Sequence, residues 1–166
     1  MRIIEKLLRA KKMKVTPQRI AVYGFLYGNR DHPDLDQIYE HLSHDYPDMS
    51  LAVVYKTINA LKESGLVNEL NVGEGEMRYD AEIRPHSHIY CTKCGRIVDL
   101  PHDHFTDGFS EGALLSKVKE QTGYDISGLR LFFNGLCPQC KEASSNEHQI
   151  FQPYGAYYMQ NGSAAL

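Results

Sequence analysis

The sequence predicts an α+β chain in two folded parts, and three features carry that prediction. Residues 2–64 hold four helical patterns, each with an apolar stripe and most with a capping residue. Residues 66–80 alternate about a glycine-rich turn, as a hairpin does. Beyond residue 86, two C-x-x-C knuckles, Cys91–Cys94 and Cys137–Cys140, bracket short strand patterns and one helix. A hinge at residues 81–85 therefore separates a domain of residues 1–80 from one of residues 86–141. Residues 142–166 are polar and Gly/Ser-bearing and read as a flexible tail. A length of 166 residues suits one ordinary domain or two small ones.

Ile3, Ile4, Leu7 and Leu8 recur at helical spacing, which predicts a helix over 2–12. Thr16 caps a second helix, with Pro17 at its first position and Gly28 near its end. Its buried stripe is Ile20, Tyr23, Leu26 and Tyr27. Asp34 caps a third helix, facing inward through Leu35, Ile38, Tyr39 and Leu42, and Pro47-Asp48 closes the loop after it. Ser50 caps a fourth, Leu51 to Ser64, with Gly65 as its stop. There Leu51, Val54, Ile58 and Leu61 face inward, leaving Tyr55, Lys56, Asn59 and Lys62 outside. Leu66–Leu70, a turn at Gly73-Glu74-Gly75 and Met77–Asp80 then make a β-hairpin.

Helices closing on a hairpin describe a winged helix-turn-helix, with Leu51–Ser64 as the recognition helix. An exposed face of one aromatic, one amide and two ammonium groups suits a DNA major groove. The alternative is a helical bundle with a solvated polar face. Charge distribution favours DNA. Net charge is only −3, but residues 1–30 hold Arg2, Lys6, Arg9, Lys11, Lys12, Lys14, Arg19 and Arg30 against Glu5 alone. Lys14, Arg19, Ser50, Tyr55, Lys56 and Asn59 are the candidate DNA contacts.

No apolar run approaches the ~20 residues that span a bilayer, and the N-terminus lacks a signal-peptide pattern. The expectation is a soluble cytoplasmic protein with no membrane partner. A reducing compartment favours thiolate–zinc over disulfides for paired C-x-x-C motifs. Cys91, Cys94, Cys137 and Cys140 thus predict a structural Zn²⁺ site. A redox C-x-x-C would need a knuckle at a helix start in a βαβ setting, which neither pair suggests.

Ile89–Cys91 and Arg96–Leu100 read as adjacent strands, Leu114, Leu115 and Val118 mark a helix within 105–121, and Leu129–Leu136 reads as a strand. This second part buries little apolar surface, so a zinc staple and a partner subunit are both plausible supports. His86 and His88 leave the same face of a strand, and Asp99 adds an oxygen donor. His41, His44, His102, His104 and His148 read as surface residues.

Several segments together resemble one family. They are Val15-Thr16-Pro17-Gln18-Arg19, Val54-Tyr55-Lys56-Thr57, Gly65-Leu66-Val67, Arg78-Tyr79-Asp80, His86-Ser87-His88, Cys91-Thr92-Lys93-Cys94-Gly95 and Cys137-Pro138-Gln139-Cys140. From about residue 2 to 141 the chain resembles the ferric uptake regulator family of bacterial metal-dependent repressors. The resemblance implies a winged-helix DNA-binding domain, a hinge and an α+β dimerisation domain, working as a homodimer on double-stranded operator DNA. Within the family the chain is most similar to the peroxide-sensing branch. That likeness implies a regulatory metal on His32, Asp80, His86, His88 and Asp99, a mixed nitrogen-and-oxygen shell that suits Fe²⁺ or Mn²⁺, with His32 and His86 as the oxidation-sensitive positions. His32 rests on the resemblance alone. Leu129 stands where iron-responsive members often carry a further metal-binding histidine, and Lys56 where peroxide sensors can carry Asn.

One ion bound to all five residues would close the two halves on each other, making the metal-loaded dimer the DNA-binding form. An iron- or manganese-level sensor without peroxide chemistry is the alternative in the same class. An oxygenase or hydrolase would need an open coordination position and a substrate pocket. Five ligands around a hinge do not offer these, so no enzyme is expected, and no small-molecule substrate beyond metal ions and peroxide.

Overall fold

The computed structural model describes residues 2–73, 76–84, 86–100, 111–126 and 129–145. The expected positions of Glu74, Gly75, Pro85, His102, His104, His148 and the tail beyond 145 lie outside them. The chain forms two compact units, Met1–Gly135 and Leu136–Leu166. Among the described residues no helix is long and apolar enough to cross a membrane.

The first unit opens with helices α1 (Arg2–Ala10), α2 (Pro17–Tyr27), α3 (Leu35–Ser43) and α4 (Leu51–Glu63). Helix α1 stops short of residue 12 because Lys12 turns left-handed (φ 57°). The Met13 N–H then reaches back to Leu8 O at 3.0 Å, satisfying a terminal carbonyl. The same device ends α4. Gly65 takes φ 69° and the Leu66 N–H bonds Leu61 O at 2.9 Å. Thr16, Asp34 and Ser50 cap α2, α3 and α4 through their side chains, and Asp34 forms a reciprocal box with Gln37.

Strands β1 (Asn68–Asn71) and β2 (Met77–Asp80) pair antiparallel as the wing. One core ties wing and helices together, from Ile4 and Leu8 through Val22, Leu26, Ile38, Val54, Ile58 and Leu61 to Leu66 and Tyr79. Three residues expected inside are exposed instead: Ile3, Tyr27 and Leu51. Leu51 is the first residue of α4, and Tyr27 the last of α2, where the stripe has run past the core. Thr57 is buried in α4 although its hydroxyl hid it from an apolar pattern.

The unit continues with β3 (Ser87–Cys91), β4 (Ile97–Leu100), helix α5 (Glu111–Thr122) and β5 (Phe132–Gly135). Central β3 pairs antiparallel with β4 and parallel with β5. The last strand is shorter than the expected 129–136, although Leu131 O still accepts the His88 N–H at 3.1 Å. Helix α6 (Pro138–Ser145) belongs to the second unit and begins directly after Cys137. The second knuckle therefore does open a helix, contrary to expectation. Pro138 at the first helical position is the reason.

Candidate metal centre

Three histidines and two aspartates converge where the wing meets the small sheet. His32 lies in the loop after α2 and takes a left-handed φ of 50°, uncommon for a non-glycine. That loop is pinned to the wing, because Pro33 O accepts the Tyr79 N–H at 3.1 Å. Asp80, next to Tyr79, ends β2. His86 precedes β3, and His88 lies within it, opposite Asp99 of β4 in the antiparallel register. Cross-strand pairing is thus what sets two of the five on one face.

The distances are those of a cage. Asp99 Oδ1 stands 2.9 Å from His32 Nε2, 3.5 Å from His86 Nε2 and 3.7 Å from His88 Nε2. Asp80 Oδ2 stands 3.2 Å from His86 Nε2 and 3.7 Å from His88 Nε2. All five inward atoms, the three Nε2 nitrogens with Asp80 Oδ2 and Asp99 Oδ1, are buried without a hydrogen-bond partner. A folded chain rarely leaves such atoms unsatisfied. His32, Asp80, His86 and His88 make a set able to offer one ligand atom each to a cation, and Asp99 Oδ1 faces the same point.

Outer partners hold these side chains with those atoms inward. The Asp80 Oδ1 oxygen accepts the Glu82 N–H at 2.7 Å, freeing Oδ2. His86 Nδ1 lies 2.9 Å from Arg84 O. A carbonyl only accepts, so Nδ1 carries the proton and Nε2 keeps its lone pair. Asp99 Oδ2 accepts from Arg30 Nη1 at 3.1 Å, leaving Oδ1 for the cage.

Electrostatics agree with a cation. Burial is the largest influence on His32 and outweighs the pull of Asp99 and Asp80, so its pKa falls below 6.5 and the ring stays neutral. Burial pushes Asp80 upward, but the His88 ring, the Glu82 N–H, His32 and His86 together bring it below its ordinary 3.8, so it stays ionised. Neutral imidazoles and ionised carboxylates are what a hard divalent ion requires.

The cysteines are placed in two turns. Cys91 ends β3 and is buried, and its knuckle closes through Gly95 N–H to Cys91 O at 2.9 Å, with Gly95 at φ 71°. In the second unit, Cys137 stands at the head of α6 and Cys140 within its first turn, both half-buried.

The expected DNA residues divide. Tyr55 and Lys56 are exposed on α4 and Asn59 is half-exposed. Ser50 is occupied as a cap, accepting the Val53 N–H at 3.3 Å. Lys14 is exposed, whereas Arg19 is half-buried and donates through Nη1 to Lys14 O at 2.8 Å. Lys62 pairs with Glu69 of the wing. Arg30, counted in the basic arm, sits at the metal centre instead. Nothing in the sequence pointed to Arg30, Glu82 or Arg84, because their roles come from contacts across loops.

A winged helix whose hairpin ends at a nitrogen-and-oxygen cluster able to hold a cation has the build of a metal-sensing transcriptional regulator. Comparison with known proteins narrows the class. The model of the ferric uptake regulator family matches residues 10–131. The peroxide-responsive repressor PerR of Staphylococcus epidermidis is 33% identical over 135 residues, 81% of this chain and 86% of that protein. The solved structure of the Campylobacter jejuni peroxide stress regulator has a TM-score of 0.62 at 32% identity, covering 84% of this chain and 97% of its own. The Francisella tularensis ferric uptake regulator, solved with iron, has a TM-score of 0.64 at 25% identity, covering 78% and 95%. The chain belongs to the ferric uptake regulator family, and it is a transcriptional regulator rather than an enzyme.

Proposed function

We propose that this protein is a cytoplasmic, homodimeric repressor that binds operator DNA when metal-loaded and lets go when peroxide oxidises His32 or His86. The observation that carries the reading is the set of five buried, unpartnered atoms contributed from both sides of residues 81–85. His32 and Asp80 come from the winged-helix side, and His86, His88 and Asp99 from the sheet side. A hard divalent ion, Fe²⁺ or Mn²⁺, fits this donor set. Holding one ion from both sides selects one angle between residues 1–80, the proposed DNA-binding domain, and residues 86–141, the proposed dimerisation domain, about an 81–85 hinge. In a dimer that angle fixes the spacing of the two recognition helices, α4 and its partner.

Tyr55, Lys56 and Asn59 would read or grip the DNA from α4, with Lys14 on the backbone. Ser50 and Arg19 would act indirectly, by holding the start of α4 and the loop before α2. Dimerisation would use the outer face of the sheet, where Val98, Ile89 and Phe133 lie side by side across β4, β3 and β5 and are all exposed. The paired C-x-x-C spacing supports Zn²⁺ on Cys91, Cys94, Cys137 and Cys140, an ion that four thiolates favour and that is redox-inert.

Bound Fe²⁺ would supply the electrons that open the O–O bond of peroxide. Overall, an imidazole gains one oxygen from H₂O₂ and water leaves, a two-electron oxidation of the ring. The chain's own contribution is to keep His32 neutral and buried and His86 oriented by Arg84 O, so that both rings sit against the ion. An oxidised imidazole is a poor ligand, and with it the link between the two sides is lost.

The test is mass spectrometry of Fe²⁺-loaded and Mn²⁺-loaded protein after peroxide. A gain of one oxygen on His32 or His86 in the Fe²⁺ form alone is the expected result. Derepression by chelation with no oxygen gained would make the protein a sensor of metal level.

A further inference from the structure

We infer that Arg30 is a positioning residue of the metal centre: it holds one oxygen of Asp99 away from the ion, so that this carboxylate ligates through the other alone. The inference rests on the five-ligand reading above and goes beyond it. Arg30 lies two residues before His32, in the same loop. Its Nη1 donates to Asp99 Oδ2 at 3.1 Å, and its Nη2 stands 3.7 Å from Glu82 Oε2. The two oxygens of Asp99 are thereby divided, Oδ2 to the guanidinium and Oδ1 to the three imidazoles. Asp80 is divided in the same way by the Glu82 backbone.

Glu82 joins the two arrangements. Its N–H holds Asp80, its Oε2 lies beside Arg30, and Arg84 grips both carboxylate oxygens, donating through Nε to Oε1 at 2.8 Å and through Nη2 to Oε2 at 2.6 Å. Arg30 therefore links the His32 loop, the segment after the wing and strand β4 around one site. A fork of two nitrogens on a planar group can do this, whereas a single ammonium cannot face both acids in the same geometry.

The Arg30 side chain is 65% exposed. An ion pair at such a rim contributes little to folding. Its effect belongs to the orientation of the ligand, where loss of an outer partner typically costs 10–100-fold in metal affinity.

The experiment uses the full-length, zinc-loaded protein and adds Mn²⁺ as the probe. Mn²⁺ affinity is measured by chelator competition, the electron paramagnetic resonance spectrum of bound Mn²⁺ is recorded, and the melting temperature is taken without Mn²⁺. Arg30→Met is expected to weaken Mn²⁺ binding about 10-fold and to change the spectrum, with the Mn²⁺-free melting temperature unmoved. Arg30→Lys should fall between the two. An R30M protein that matches the wild type in affinity and spectrum overturns the inference. So does one whose affinity falls only in step with its Mn²⁺-free melting temperature, or one that loses DNA binding while Mn²⁺ binding is untouched. Asp99→Asn separates the two levels. If it weakens Mn²⁺ binding and R30M does not, only the role of Arg30 falls. If it changes nothing, the five-ligand reading falls as well.

Discussion

The winged helix and the three-stranded sheet belong to one unit but are held together on different terms. Every residue of the main hydrophobic core lies between Ile4 and Ala81. The sheet contributes only Cys91 and Ile97 as buried apolar residues, and its other buried positions are Ser87 and His88. Four of its apolar side chains, Ile89, Val98, Phe132 and Phe133, remain 37–48% exposed. The winged helix has a packed core of its own. The sheet is held by backbone pairing and, on the proposed reading, by the ion its histidines would bind and the partner that would cover its outer face. A sensor needs this inequality: a part that keeps its shape in every state, beside a part whose placement depends on a ligand.

The largest effect should come from breaking the self-sufficient half. Leu61 of α4 is completely buried in the core. Leu61→Ala should cost about 2–5 kcal/mol, the range for a leucine cavity that cannot collapse, read as a lower urea midpoint. A loss below about 1 kcal/mol, far under that range, would mean that the winged helix is not the independent half.

The dependent half should respond differently. Val98→Glu places a charge in the exposed row with Ile89 and Phe133. Folding of the monomer should barely change, since surface substitutions usually stay within about 0.5 kcal/mol. Dimer affinity should fall at least about 10-fold, which is 1.4 kcal/mol, measured by sedimentation against concentration. An undisturbed dimer would remove this face from the proposed interface.

How far each half was legible in the sequence follows the same division. The winged helix could be read because its determinants are local. Thr16-Pro17, Asp34, and Ser50 with Gly65 each act within a turn or a single helix, and all are found capping or stopping the expected helices. The errors fell at helix ends, where Tyr27 and Leu51 keep the periodicity but leave the core. The site was legible only in part. His86 and His88 follow from strand alternation, but His32 comes to them through a left-handed backbone that no spacing rule anticipates. Arg30 read as one more base of a cationic arm, because its function depends on Asp99, 69 residues away.

The smallest effect, and the one that separates the halves most cleanly, is a dependence on pH. Without the regulatory ion, burial holds the His32 pKa below 6.5, and Asp99 and Asp80 only partly offset it. The unfolded chain then binds more protons than the folded one from pH 6.5 down to the folded value. Stability is therefore full above pH 6.5 and declines as the pH falls through that window. Asp80 acts later: its depressed pKa stabilises the fold above 3.8, and that contribution goes as the pH drops further. One proton sets a ceiling of about 1.4 kcal/mol per pH unit on the His32 slope. Urea midpoints between pH 7.5 and 5 should show it in the metal-free protein. His32→Gln, which keeps a neutral polar head that does not titrate, should flatten it. A slope of unchanged size in that variant would assign the proton to another group and overturn the claim that this buried ring is kept neutral for an ion.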